Sequence, residues 1–336
     1  MRATHTFMEK KHFPVMLEEV LDICSPHKGG RYLDCTFGGG SYTEGILNFP
    51  DTNVIALDRD KNVVDIAKDF KKKFKSRFEF FHNKFSTIDK ISKSKFDAII
   101  FDLGVSSFQL DDMKRSFSFK SKNKLDMSMG LSENNAFNVI NFTSGENLKN
   151  IIKILGEEKE ASKIVKNIIK ERNIKKIETA DELAKIILQS KKKDYKKKID
   201  PSTQTFQAIR IFVNQEISEL INGLINATKV LKPGGKLILI SFHSLEDRII
   251  KFYFKNYAIN KSKQNKYLPM QKDKGFYLFN FYKNKVLKPS ENEINLNPRS
   301  RSAKLRVAIR SKNQFEEPSE LRKKFKIITD MEKNID

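Results

Sequence analysis

Three consecutive glycines placed directly after a short apolar run restrict this chain more than any other feature. Arg31-Tyr-Leu-Asp-Cys35 reads as a buried strand, and Gly38, Gly39 and Gly40 turn the chain just beyond it. Glycine has no Cβ, so such a turn lets backbone come close to a ligand. A second strand-like run, Asn53-Val-Ile-Ala-Leu57, ends at Asp58, 20 residues beyond Gly38. In a parallel sheet both features lie at the carboxyl ends of strands, where ligands bind, and an acidic group at that distance accepts from both ribose hydroxyls. The pair predicts an open α/β sheet that holds an adenosine-containing molecule.

The flanking sequence agrees. A helical pattern covers Lys61 to Phe74, Arg77 to His82 reads as a third strand, and Phe96 to Phe101 as a fourth that ends at Asp102. Strands alternating with helices imply a parallel sheet covered by helices. From about 111 to 205 only helical periodicity is found, in Leu148–Leu155, Glu160–Lys170 and Ala180–Gln189, with Thr179 or Asp181 capping the last. Lys191 to Lys198 is too charged to be buried. The α/β pattern then resumes with one long helix, Thr205–Leu231, stopped by Lys232-Pro-Gly-Gly235. A fifth strand, Lys236–Phe242, follows, then a helix Ser244–Tyr257 with Ser244 as N-cap, and a final strand, Lys304–Arg310. The expected organisation is an α/β domain in two parts, residues 1–110 and 205–311, interrupted by a helical insertion for substrate recognition at 111–204. Residues 312–336 read as a loosely held tail.

Two cofactor classes use a glycine turn with a distal acid. Dinucleotide enzymes require G-x-G-x-x-G, and here the sixth position is Thr43. S-adenosylmethionine has no pyrophosphate and needs only the close turn, so it is the expected cofactor. The Lys-Pro-Gly-Gly turn also resembles that of class I methyltransferases. Composition narrows the setting. Hydrophobic residues make up 39% of the 336, enough for a core. No apolar run approaches the roughly 20 residues of a membrane span, and the N-terminus lacks the apolar stretch of a secretion signal. The two cysteines, Cys24 and Cys35, fit a reducing cytoplasm and argue against a disulfide framework or a metal site. A formal charge of +22 attracts polyanions such as RNA, although a lysine-rich genome bias gives the same number.

The loop Asp102-Leu-Gly-Val-Ser-Ser107 leaves the fourth strand, where methyltransferases hold the methyl acceptor. It has no cysteine for carbon methylation of a pyrimidine, and Cys35 reads as a packed residue, so a heteroatom acceptor is expected. An exocyclic amine is a poor nucleophile because its lone pair is delocalised. Carboxylate or hydroxyl acceptors of its N–H bonds would help, and Asp102, Ser106 and Ser107 can fill that role. Equally, the serines can cap the next turn and Asp102 can serve the cofactor alone. In Phe242-His-Ser-Leu-Glu-Asp-Arg248 a capping box of Ser244 and Asp247 leaves His243 and Arg248 free, and His243 is read as functional. Arg210 and Asn214, four apart, share a helix face, where they either bind RNA or satisfy buried backbone at the edge of the insertion.

Together these segments resemble the family of bacterial 16S rRNA cytidine N4-methyltransferases, RsmH, also called MraW. The most specific strings are Asp102–Asp112, Arg115–Phe119, Leu125–Met129, Thr205–Asn214 and Ser241–Arg248, within a resemblance running from His12 to Ser302. It implies a class I S-adenosylmethionine-dependent methyltransferase sheet with a helical insertion. It also implies a cytidine substrate in the decoding region of 16S rRNA, within the small ribosomal subunit. The family's cofactor contacts carry over to Gly40, Ser41, Tyr42, Asp58, Phe85, Asp102 and Gln109, with Asp58 on the ribose and Phe85 near the adenine. Neither membrane nor DNA is an expected partner, and oligomeric state is open. Three positions depart from the family pattern: Ser41 and Ser116 replace glycine, and Phe108 replaces proline. A basic RNA-binding assembly factor on the same fold, with little or no turnover, would share every charge feature. Loss of function in Asp58→Ala separates the enzyme from it.

Overall fold

The computed structural model describes residues 14–92, 95–191, 200–259, 277–283 and 286–333, apart from the side chains of Ser107 and Phe108. Five parallel strands form one side of the sheet: β1 (Gly30–Asp34), β2 (Thr52–Asp58), β3 (Phe78–His82), β4 (Phe96–Asp102) and β5 (Leu231–Ser241), with β3 at the edge. Short strands β6 (Ala258–Ile259) and β7 (Phe279–Phe281) and the longer β8 (Lys304–Arg310) complete the order β3-β2-β1-β4-β5-β8-β7-β6, with β8 antiparallel to β5. Strand order reverses between β1 and β4, so a crevice opens at their carboxyl ends. The glycine turn leaves one of these strands and Asp102 ends the other.

Alternate residues of each strand point to opposite faces, and each face has its own core. Tyr32, Val54, Ala56, Ile100 and Ile238 pack under α1 (Leu17–Cys24), α2 (Ser41–Leu47) and α3 (Val64–Phe74). Leu33, Leu57, Ile99, Phe101 and Leu239 face the other side. There the core runs without a break into the helical segment inserted between β4 and β5. That segment follows the short helices α4 (Ile88–Ile91) and α5 (Ser107–Asp111) and consists of α6 (Ala136–Phe142), α7 (Gly145–Leu155), α8 (Ala161–Ile174) and α9 (Ala180–Ser190). Thr179 caps α9 in a capping box with Glu182, as its sequence predicts. Most of the lysine run, 192–198, lies outside the described residues; Lys191 itself pairs with Glu158.

Three expectations change. The helix expected over Thr205–Leu231 is two helices, α10 (Thr203–Asn214) and α11 (Glu216–Val230), because Gln215 adopts a left-handed conformation at φ 52°. The Pro-Gly-Gly turn does not precede β5 but bulges within it, shifting the register against β4. The tail is docked rather than loose. After α12 (Ser244–Tyr257) and α13 (Glu291–Leu296), the chain ends in α14 (Ser319–Lys324) and α15 (Lys326–Lys333), with Leu321 and Phe325 buried. The ring of Phe325 stands edge-on to Phe252 of α12, with centroids 5.6 Å apart.

Candidate active site

The crevice is a cavity of about 450 Å³ lined from the ends of β1, β2, β4 and β5 and from α10 and α11. The glycine turn forms one wall. Gly38 and Gly40 hold φ of +50° and +78°, and a Cβ on Gly40 would lie 2.5 Å from the Phe70 ring. Gly38 is required by backbone conformation alone and lines the cavity. Gly40 is required by backbone and by packing against Phe70 and Phe37, and it lies off the cavity wall, which is a packing role rather than the ligand approach expected of it. Ser41 opens α2 with ordinary helical backbone, so a side chain is accepted at this position. Ser116 is different. It sits at φ 59°, a region that favours glycine, with its hydroxyl 2.7 Å from the Lys124 carbonyl. Serine at 116 therefore carries backbone strain that glycine would not.

Three strands each end in an aspartate. Asp58 accepts from the Gly38 amide at 2.8 Å through Oδ2 and from the Asp60 amide at 2.8 Å through Oδ1. Asp34 accepts from the Thr43 hydroxyl at 2.8 Å. Thr43, the residue that breaks the dinucleotide fingerprint, thus anchors a buried carboxylate. Asp102 is fixed through its amide, which donates to Thr36 Oγ1 at 2.8 Å, and its Oδ2 lies 3.3 Å from the Tyr42 hydroxyl. Its Oδ1 is buried and has no hydrogen-bond partner. Burial pushes the Asp34 and Asp58 carboxyls up to about 6. Burial, with the like charge of Asp34, pushes Asp102 up to about 8.

The remaining predicted residues divide. Phe85 lines the cavity, edge-on to Phe101 at 5.2 Å, and Gly223 of α11 makes room for its ring. Gln109 lines it too, but both ends of its amide are used: Nε2 donates to Asp60 at 2.9 Å and Oε1 accepts from the Ser106 amide at 3.0 Å. It ties the loop after β4 to the loop after β2. Ser106 lines the cavity while its Oγ accepts from the Gln109 amide at 3.3 Å, which is the capping alternative. Cys35 is fully buried and burial holds its thiol well above the ordinary range, as a packed residue requires.

His243 is the correction. It does not lie on the cavity wall. Its ring, not Ser244, caps α12 through Nδ1, in a capping box completed by Glu246 rather than Asp247. Ser244 and Arg248 instead bind Glu157 at the edge of the insertion. Asn214 is fully buried and satisfies backbone, accepting from Met129 N at 2.8 Å and donating to the carbonyls of Met127 and Arg210 at 2.8 Å. Arg210 stays on the cavity wall, gripped by Glu216 in a two-pronged pair of 2.8 and 2.9 Å. Glu216, His243 and Glu246 converge within 4.8 Å, and the guanidinium of Arg210 supplies positive charge beside them.

Sequence reasoning missed Asp34, Thr36, Phe242 and Arg299. Phe242, at the end of β5, and Arg299, in the turn before β8, line the same cavity as Asp102. Asp34 at a strand end beside a glycine turn was the available signal; nothing in the sequence marks Arg299 over other arginines.

An α/β sheet of this order, with a glycine turn, a ribose-distance acid and no pyrophosphate site, defines a class I S-adenosylmethionine-dependent methyltransferase. The donor set suits that cofactor. Asp58 and Asp102 both line the cavity, and a cation bound beside them would favour their ionised forms, so a sulfonium suits the site better than a neutral ligand. The profile of the MraW methylase family matches residues 9–311, and the chain belongs to that family. Among its relatives, ribosomal RNA small subunit methyltransferase H of Ehrlichia canis (strain Jake) is 43% identical over 304 residues, 89% of this chain and 99% of its own. The protein of that name from Rickettsia bellii (strain RML369-C) is 42% identical over 306 residues, 90% of this chain and 99% of its own. Among solved structures, an rRNA methylase from Streptococcus thermophilus aligns with 90% of this chain and 100% of its own at 9% identity and a TM-score of 0.41. No helix among the described residues is long and apolar enough to cross a membrane.

Proposed function

We propose that this enzyme transfers a methyl group to the exocyclic N4 of a cytidine in the decoding region of 16S rRNA, within the small ribosomal subunit. The observation that carries this reading is Asp102 Oδ1, a buried acceptor without a partner on the wall of the cavity. S-adenosylmethionine, when bound, supplies an electrophilic methyl group on a sulfonium sulfur. Asp102 would accept one N–H of the amine, which draws the nitrogen towards a pyramidal shape and frees its lone pair. Thr36 anchors the Asp102 backbone amide and Tyr42 lies against its Oδ2, which together would hold the residue in place for that task. Phe242 offers an aromatic face on the same side, suited to a base that has left its stack. Arg299 at the cavity and the +22 charge suit an RNA backbone. Ser106 and His243 act at one remove in this reading, Ser106 by shaping the loop after β4 and His243 by starting α12.

The test is methyl transfer from labelled S-adenosylmethionine to small subunits from a strain lacking the enzyme, followed by mass analysis of digested nucleosides. N4-methylcytidine is the expected product. Label on another position, or on DNA or protein with none on the subunits, overturns the reading.

A further inference from the structure

Helix α11 begins without a cap of its own. Gln215, its N-cap, is left-handed and offers no side-chain bond to the first turn. The first amides of a helix need partners, and a carboxylate is the favoured one. Here the partner arrives from more than a hundred residues away. Glu332 of α15, fully buried, accepts from Ile217 N at 3.0 Å, Ser218 N at 2.7 Å and the Ser218 hydroxyl at 2.6 Å. Its backbone carbonyl also accepts from Gln215 Nε2 at 3.2 Å. Between those amides and Gln215 sits Glu216, the residue that grips Arg210 on the cavity wall.

We propose that α14 and α15 form a clasp that positions Arg210 in the active site, with Glu332 holding the α10–α11 joint and the joint setting Glu216. Glu332 is a positioning residue; it touches neither cofactor nor acceptor. The clasp lies outside the span 9–311 that the family profile matches, so it is an addition to the shared catalytic body. It is docked along its length. Leu321 and Phe325 are buried, Arg322 Nη1 donates to Asn222 of α11 at 2.8 Å, and the Glu320 amide donates to the Tyr257 hydroxyl at 3.2 Å. A tail that only covered apolar surface would not need a buried carboxylate aimed at the start of a helix that feeds the cavity.

The inference rests on the proposed substrate only for its turnover readout, so two measurements are used. In full-length Glu332→Ala, hydrogen exchange at the amides of residues 216–218 should rise, whatever the substrate. Turnover on small subunits, measured below the melting temperature, should fall roughly tenfold in kcat/KM, the scale of a displaced active-site group. The dissociation constant for S-adenosylmethionine should stay within twofold, because the glycine turn and Asp58 are untouched. Glu332→Asp should recover part of the loss, and Glu332→Gln, which keeps shape and one acceptor, serves if the alanine variant does not fold. In a Glu216→Gln background, where the grip on Arg210 is already weakened, removing Glu332 should cost little further turnover. Unchanged exchange, unchanged turnover, or the same penalty in the Glu216→Gln background would each overturn the clasp. Failure of the wild type to methylate subunits would count against the substrate reading instead, and exchange alone would then decide the clasp.

Discussion

The amide of Gly38 donates to Asp58 Oδ2 at 2.8 Å, closing the turn after β1 onto the end of β2. The bond sets turn and carboxylate in register before any cofactor binds. Asp58→Ala removes the tie and, with it, the carboxylate proposed to accept from the ribose. Hydrogen bonds to a charged group contribute about 1.5–3 kcal/mol each. Binding of S-adenosylmethionine by calorimetry should weaken about a hundredfold in this variant. A dissociation constant within threefold of wild type would remove Asp58 from the cofactor site.

The two left-handed glycines of the turn should answer differently to alanine. At Gly40 the new Cβ meets Phe70 at 2.5 Å and Phe37 at 2.9 Å, on top of φ +78°. Strain and overpacking together cost about 2–4 kcal/mol. At Gly38 the nearest atom is Thr36 O at 3.9 Å, so only backbone strain of about 1–2 kcal/mol applies. Denaturant melts should therefore place Gly40→Ala well below Gly38→Ala in stability; equal losses would show that the aromatic cluster yields.

How much of this was legible beforehand follows from the range of the interactions. The strand ends at Asp58 and Asp102, the glycine turn and the Thr179 cap are set within a few residues, and local pattern shows them. The break at Gln215 was hidden because Thr205–Leu231 keeps helical apolar spacing on both sides of it, and the carboxylate of Glu332 that receives the amides after the break is distant in sequence. Capping of α12 was assigned one residue late, to Ser244, because serine is the commoner cap, while the ring of His243 does that work here. The tail read as loose because Leu321 and Phe325 are too few to form a pattern, and their burial depends on α11 and α12. Phe242 and Arg299 join the cavity only through sheet order, which no local pattern reports.

Asn214 joins the insertion to the sheet through the loop at 127–132. Besides its bonds to Met127, Met129 and Arg210, its Oδ1 accepts from Ser132 Oγ at 2.9 Å. Asn214→Ala would strand Met129 N and Met127 O in a buried place, and each orphan costs about 1–3 kcal/mol. The variant should lose about 2–5 kcal/mol by denaturant titration. A loss below 1 kcal/mol would mean that water replaces the side chain.

If Phe242 stacks on the acceptor base, shape and aromaticity should separate. Phe242→Leu keeps apolar bulk and Phe242→Tyr keeps the ring. Stacking contributes about 1–3 kcal/mol per base, which is roughly five- to 150-fold in kcat/KM on small subunits. Leucine should lose this and tyrosine should not. Equal activity of the two variants would reduce Phe242 to a packing residue.

Asp102 joins function to an expense in stability. Its carboxyl ionises at about 8 in the folded protein, against 3.8 when unperturbed. The folded state therefore holds a proton that the unfolded state releases. By linkage, this group's contribution to stability is full below about 4, falls as pH rises towards 8, and stays lost above it. Asp102→Asn carries no ionisable group there, so the ligand-free variant should melt higher than wild type, and by more at pH 9 than at pH 5. The same change should strongly reduce methyl transfer, because the amide keeps a neutral oxygen acceptor but lacks the carboxylate charge that polarises the N–H of the amine. In the wild type, kcat/KM for the RNA should rise with pH as the carboxylate forms, following the free enzyme's ionisation near 8. A variant as active as wild type, or one that gains no stability at alkaline pH, would show that the buried carboxylate is not held for the acceptor amine.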